Sequence, residues 1–428
     1  MVLRDCERDL ASLACEGSIF GGSAAAKLER LQVKLGPLNC RYDVVVANPP
    51  YMGSSNMNGW VSKWVKKNYP IAKSDLCTCF FNRAQQLAKD DGYISMITAS
   101  SWMFISSFEK FRKELLSKGS ICSMIQQSTH GYAGVTVPTT MFTYACHRMG
   151  VIGSYIRLED FDRPQWQEPR ALEALANPEC GWFYRADADG FGAIPGSPIA
   201  YWASDKLHKA FLEGIPLQNV SAPKKGLGTG NKDLFMRFWW EPSMPNICFD
   251  SDSRKDALAS NCRWFPHNKG GEYRKWYGNC DYVVDWLDDG SAIKQYTNEA
   301  GGLAGYARNQ DCYFKQCITW SKISSGKLAF RFKEEGDIFN EVAPALFGEK
   351  ALLIKLEAFL NSSVCDAIAA ILSPTLDFQV GQVASYPILE GVLENNRASN
   401  IVELNTGLSR QDWNSFEESW SFCRHPLV

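Results

Sequence analysis

From Tyr42 to Cys146 the apolar positions switch between two periods. Tyr42-Asp43-Val44-Val45-Val46-Ala47 is a short apolar run of the kind buried in a sheet. After a proline-rich turn, Leu76, Phe80, Ala84 and Leu87 recur at helical spacing behind a Ser74 or Asp75 cap, which predicts a helix ending near Gly92. Tyr93-Ile94-Ser95-Met96-Ile97 reads as the next strand. Ser106 and Glu109 form an S-x-x-E capping signature ahead of Phe108, Phe111, Leu115 and Leu116, with Gly119 as the stop. Further strands are expected over 121–126 and 140–146. Strand and helix therefore alternate as in an α/β doubly wound sheet, whose active-site loops lie at the carboxyl ends of strands.

Beyond this region the pattern is less regular. Pro164, Pro169, Pro195 and Pro198 mark 151–215 as a connector between a first domain over 1–150 and a second over 216–395. Within the second, Ala351 to Ile371 reads as an apolar helical hairpin and Asp377 to Pro387 as a return strand. Residues 396–428 read as a helical tail, and Ala24 to Lys34 as a polar helix.

Composition narrows the class. A chain of 428 residues with 45% hydrophobic and 13% aromatic content has enough apolar material for two or three cores. No apolar stretch is long enough to span a bilayer, and Arg4, Asp5, Glu7, Arg8 and Asp9 break any leader-like run, so a cytoplasmic location is expected. The 15 cysteines form no CxxC pair, and Cys77-x-Cys79 and Cys312-x4-Cys317 lack matching partners; reduced thiols and no metal are expected. The five histidines show no ligand spacing. Net charge is only −2, yet residues 224–333 hold 17 Lys and Arg against 12 Asp and Glu, together with six of the 14 tryptophans. Basic residues interleaved with aromatics suit a surface that tracks phosphates and stacks on bases, while a Trp-rich core with a solvated rim gives the same composition.

The chemistry is concentrated in Asn48-Pro49-Pro50-Tyr51, directly behind the first apolar run. An exocyclic amine conjugated to a purine ring is a poor nucleophile. A catalyst must draw on both N–H groups so that the nitrogen pyramidalises. The Asn48 amide oxygen and the Pro49 carbonyl supply two acceptors, the consecutive prolines hold them stiffly, and Tyr51 offers a face for an extracted base. The plain alternative is a Pro-Pro turn after a buried strand.

The succession is specific. The Asn-Pro-Pro-Tyr is followed by Lys73-Ser74-Asp75-Leu76 and Phe80, by Gly92-Tyr93-Ile94 leading to Ala99-Ser100-Ser101-Trp102, and by Gly134-Val135-Thr136-Val137-Pro138-Thr139-Thr140. It resembles the gamma-arrangement DNA adenine N6-methyltransferases. Gly228-Thr229-Gly230-Asn231, the Lys269 to Asn279 loop and Leu376 to Gly381 resemble their target-recognition region. The resemblance covers residues 42 to about 390 and is strongest to the adenine-specific methyltransferases of BREX phage-defence systems. It implies a partial Rossmann-like methyltransferase domain followed by an α+β target-recognition domain, with catalytic Asn48, Pro49, Pro50 and Tyr51. S-adenosylmethionine is the implied cofactor, bordered by Lys73, Asp75 and Phe80. The implied partners are double-stranded DNA, held by Lys232, Arg237, Lys269, Arg274 and Lys275, and other phage-defence proteins.

One departure stands out. Residues 1–41 contain Gly21-Gly22-Ser23 but no strand ahead of a GxG turn, and Gly226-Leu227-Gly228 follows no buried strand. The main cofactor loop is thus expected to be missing and the chain to be amino-terminally truncated. Two function classes stay open: an adenine methyltransferase lacking part of its fold, and a DNA-recognition subunit or inactive remnant that binds DNA without catalysis.

Overall fold

The computed structural model describes residues 36–428 apart from 133, 135, 148–149, 151, 325–326, 374–376, 426 and 428. The expected helix from Ala24 to Lys34, and Val135 and Leu376 of the quoted segments, fall outside the described residues. The chain divides into two compact units, Met1–Trp202 and Ala203–Val428.

The first unit is built on a six-stranded sheet in the order β1-β2-β4-β3-β5-β6, formed by Tyr42–Ala47, Ala88–Ala99, Ser120–Gln127 (β3), Thr139–Ala145 (β4), Ile152–Leu158 and Phe183–Asp187. β1 and β2 run parallel, β4 is antiparallel to both β2 and β3, and β3 runs parallel to β5. Helices α1 (Gly59–Asn68), α2 (Leu76–Leu87), α3 (Glu109–Lys118) and α4 (Pro164–Ala176) connect the strands. Phe81 of α2 packs edge-on against Tyr144 and Phe111, and Trp102 against Phe111, in a core of fully buried rings. Gly119 ends α3 because a side chain there would run into the Ala145 carbonyl and the Tyr144 ring.

Three local expectations are corrected. Helix α2 stops at Leu87, not near Gly92, because β2 begins at Ala88. Lys89 to Gly92 form an outward bulge between the Tyr42–Ala88 and Val44–Tyr93 pairs. Ion pairs Arg41–Asp90 and Lys89–Asp43 hold the bulge, and Gly92 fits because a Cβ would meet the Asp43 carbonyl at 2.9 Å. The Ser106–Glu109 capping box does not form: Ser106–Phe108 is a 3₁₀ turn and Glu109 pairs with Lys113 one turn on. The expected connector over 151–215 divides between the two units, 152–202 belonging to the first and 203–215 to the second. β5 and β6 extend the sheet, and Tyr201 stacks on Tyr155 at 4.6 Å while its hydroxyl donates to Gln126 Oε1.

The second unit is a patchwork of short strands. β7 (Met236–Phe238), β8 (Trp264–Asn268), β9 (Tyr282–Asp285) and β12 (Ile338–Phe339) form one sheet in the order β12-β8-β9-β7, and β10 (Cys317–Trp320), β11 (Phe330–Lys333) and β13 (Ala345–Phe347) form another. Helices α5 (Lys350–Leu360) and α6 (Ser363–Leu372) are the expected hairpin, bent at Asn361, whose amide bonds both the N–H and the carbonyl of Phe330. The expected return strand over 377–387 is instead broken by a short helix. α7 (Val380–Ala384) forms there because the Gln382 side chain accepts from the Gln379 N–H, and only Pro387–Ile388 pair as strand. α8 (Asn396–Trp413) is helical as read from the tail and packs on α5, so it belongs to this unit. Leu227–Gly228 is a two-residue strand against Tyr306–Ala307, not a phosphate-binding turn.

Candidate active site and DNA-facing surface

Strand direction brings the chemistry to one end of the first unit's sheet. Asn48 follows the carboxyl end of β1, Ser100 follows the carboxyl end of the parallel β2, and Thr139 opens the antiparallel β4 opposite Ala99. A hydrogen bond from Ser100 N to Pro138 O at 2.9 Å closes the last two segments together. Three of the quoted motif segments therefore converge.

Within the tetrapeptide Asn48 is exposed, Pro49 buried and Tyr51 half-buried. The Tyr51 hydroxyl donates to Asn48 Oδ1 at 3.3 Å, which sets the amide's orientation. Burial raises the Tyr51 pKa above its ordinary value, and nearby Cys77 and Tyr132 push the same way, so the phenol stays a neutral donor. Behind Tyr51 the chain is clamped. Asp75 is buried and its Oδ1 accepts from Met52 N at 3.2 Å and from Cys77 N at 2.9 Å, so one carboxylate caps α2 and ties down the loop. Leu76 N to Met52 O and Ser54 N to Ser74 O complete the tie.

Lys73 and Phe80 flank this clamp in sequence, and both side chains are exposed, Phe80 by 46%. Asp75 Oδ1 is committed to two backbone N–H groups. Among the described residues these three do not form a site that fits a nucleoside methyl donor.

Two residues near the site are not singled out from sequence. Arg112 of α3 is buried, and its guanidinium donates to the carbonyls of Trp102, Ile105, Gly196 and Ser197. It fixes the segment after β2 from behind. Burial lowers its pKa to about 10, still protonated at neutral pH. Tyr132 lies near Tyr51 and is half exposed. In sequence Arg112 is one cation in a polar helix and Tyr132 one aromatic in a loop, and nothing local marks either.

In the second unit, Lys232, Arg237 and Lys269 line one concavity of about 530 Å³, and Lys269 and Arg274 line an adjoining one of about 580 Å³. Phe238 and Tyr282 are cross-strand partners on β7 and β9, and a ring stack runs through them: Trp240 on Phe238 at 4.6 Å, Phe238 on Tyr282 at 4.8 Å, then Lys269 Nζ 4.2 Å from the Tyr282 centroid. Trp240 is 49% exposed. Arg274 lies over Trp413 and 3.8 Å from Asp412. Lys275 stands apart, since its ammonium donates to Asn361 O at 2.8 Å. The six tryptophans divide: Trp264, Trp286 and Trp320 are core, Trp239 and Trp276 are half-buried, and Trp240 is surface. Among the described residues the cysteines are free thiols, no group of His, Cys, Asp and Glu is arranged to hold a metal, and no helix is long and apolar enough to cross a membrane.

The Eco57I restriction-modification methylase family matches residues 24–131, which extends the similarity ahead of Tyr42. The adenine-specific methyltransferase PglX of Lacticaseibacillus casei is 40% identical over 91% of this chain and 33% of its own length. The adenine-specific methyltransferase BrxX of Escherichia coli is 34% identical over 98% of this chain and 33% of its own. The type IIL restriction-modification enzyme MmeI, solved in complex with DNA, shares the fold with a TM-score of 0.52 at 11% identity, over 91% of this chain and 52% of that one. The type ISP enzyme LlaGI, solved with a DNA substrate mimic, does so with a TM-score of 0.50 at 12% identity, over 95% of this chain and 38% of that one. The chain spans about a third of the length of its curated relatives. Residues 24–131 thus match the Eco57I restriction-modification methylase family, and nearly all of the chain is similar to a third of the adenine-specific methyltransferases PglX and BrxX.

Proposed function

We propose that this chain supplies the amine-activating loop and the DNA-recognition surface of a site-specific adenine N6-methyltransferase acting in phage defence. The observation that carries the reading is the Asn48–Tyr51 pair, held by the Asp75 clamp at the carboxyl end of β1. Asn48 Oδ1 has a second lone pair beside the one taken by Tyr51. It accepts one N–H of an extracted adenine while the Pro49 carbonyl accepts the other. Both acceptors strengthen as the nitrogen becomes electron-poor on attack, so they favour the transition state over the ground state. Tyr51 stacks on the base while its hydroxyl keeps the amide aligned.

S-adenosylmethionine is the donor that the relatives imply, and this chain alone binds it weakly, because Asp75 is committed to the loop and Lys73 and Phe80 are exposed. In the second unit, Lys232, Arg237, Lys269 and Arg274 face DNA. Incubation with S-adenosylmethionine and plasmid DNA, with and without the remaining methylase segment, followed by nucleoside analysis, tests the reading. N6-methyladenine formed only in the completed enzyme supports it. N4-methylcytosine, or no mark in the completed enzyme, contradicts it.

A further inference from the structure

Helix α1 has a face that the site described above does not use. Its inner side is secured by fully buried Val65 and by Val61 packed against the core, with Asn58 capping the first turn through a bond from Val61 N at 2.9 Å. Trp60, Lys63, Trp64 and Lys67 recur at i, i+3, i+4 and i+7, the spacing that ordinarily turns a stripe toward a core. Here the stripe is in solvent: Trp60 is 74% and Trp64 46% exposed, and Lys63 and Lys67 are exposed with them.

The charge is one-sided. The helix contains Lys63, Lys66 and Lys67 and no acidic residue, and among the described residues no ion pair joins these lysines. Lysines in a last turn complement the helix dipole, which accounts for Lys66 and Lys67 but not for Lys63 or for two exposed indoles. Trp60 follows Tyr51 by nine residues, and the intervening loop is fixed by the Asp75 clamp and by buried Met57. The stripe is thus rigidly attached to the tetrapeptide that receives the adenine.

We propose that α1 is a DNA-gripping element of the catalytic unit, packing against the duplex beside the extracted adenine. Lys63 and Lys67 bind backbone phosphates, and the Trp60 and Trp64 rings pack on sugars and on bases left unstacked by the extraction. Positive charge without acidic neighbours selects a polyanion, and flat exposed rings between the cations select one with stackable bases. This inference rests on the adenine-methylating reading and adds to it a second DNA contact outside the recognition unit.

The test is duplex binding by the full chain across a salt series, with thermal unfolding as the control for folding. Lys63→Ala with Lys67→Ala should lower the salt slope of log Kd by about two units. Trp60→Ala with Trp64→Ala should weaken binding by roughly 10- to 100-fold at unchanged slope. Unchanged affinity and slope in both folded variants overturns the proposal, and so does a protein ligand lost with the tryptophans while DNA binding is intact. In the completed enzyme, Asn48→Ala separates the two failures. If it abolishes methylation while the α1 variants bind normally, only the α1 inference falls. If it methylates normally while the α1 variants lose DNA, the catalytic reading falls and the DNA contact stands.

Discussion

The two units use different means to hold a surface in place. In the first, a continuous sheet sets the site by strand direction, and its principal buried cation, Arg112, is matched to four carbonyls. In the second, strands are short and buried polar groups do the joining: Arg331 reaches Arg274 O and Ser321 Oγ, Lys333 reaches Cys280 and Asp337, and His267 links β12 to Asn340. A reacting group needs placement to within fractions of an ångström, which a regular sheet supplies. A recognition surface needs varied loops, and side-chain networks hold loops that no ladder can.

That contrast can be broken at its cations. Arg112→Ala should destabilise the first unit by about 3–5 kcal/mol, because it opens a buried site and leaves carbonyls without donors. Arg331→Met should cost clearly less, since the guanidinium it removes has an Nε without a partner and only two bonds. Denaturant titrations of the two variants check this, and an equal loss would erase the distinction.

One buried histidine should also give the second unit an acid-sensitive component, set against the buried carboxylates Asp281, Asp337 and Glu357, whose raised pKa values act in the opposite direction. Burial lowers the His267 pKa to about 4, against an ordinary value of 6.5; its Nδ1–H donates to Ile338 O and Nε2 accepts from Asn340. Below pH 6.5 the unfolded chain takes up a proton that the folded chain refuses, so this component of stability falls as pH drops from 6.5 toward about 4. The loss approaches about 3 kcal/mol. Unfolding of the unaltered chain measured against His267→Gln across this range should show the decline.

The smallest expected effects are on the recognition surface. Lys269→Ala should reduce the salt slope of DNA binding by about one unit. Lys275→Ala should leave it unchanged, because that ammonium is already bound to Asn361 O. A slope change for Lys275 equal to that for Lys269 would contradict the division drawn between them.

Legibility follows the same divide. The strand before Asn48, the Asp75 cap and the strands around Met96, Met124 and Phe142 are local signals that the sequence carries. The expected burial of the first is not met, since Val44 and Val46 are exposed on this edge strand. The Lys89–Gly92 bulge could not be read there, because it is a shift of register against β1 that only the strand pairing reveals. The 377–387 segment misled because its apolar residues fit either period, and Gln382 decides for helix. The prolines of 151–202 suggested a linker, while Tyr155 and Tyr201, far apart in sequence, stack to anchor it. The Asn48–Tyr51 contact joins residue types that the sequence singles out, but the clamp behind it is not legible there, because the bond from Met52 N to Asp75 appears only in the fold. Likewise Phe238 and Tyr282 meet only through strand register.

The most direct test of the amine-accepting role is single-turnover adenine methylation by the completed enzyme carrying Asn48→Ala, with duplex affinity measured alongside. The methylation rate should fall by about 10²–10³ while affinity stays within a few-fold, because the lost bond acts mainly in the transition state. Tyr51→Phe should lose only about tenfold or less, as one neutral hydrogen bond to Asn48 disappears and the aromatic face remains. A rate for Asn48→Ala within a few-fold of the unaltered enzyme would contradict the account.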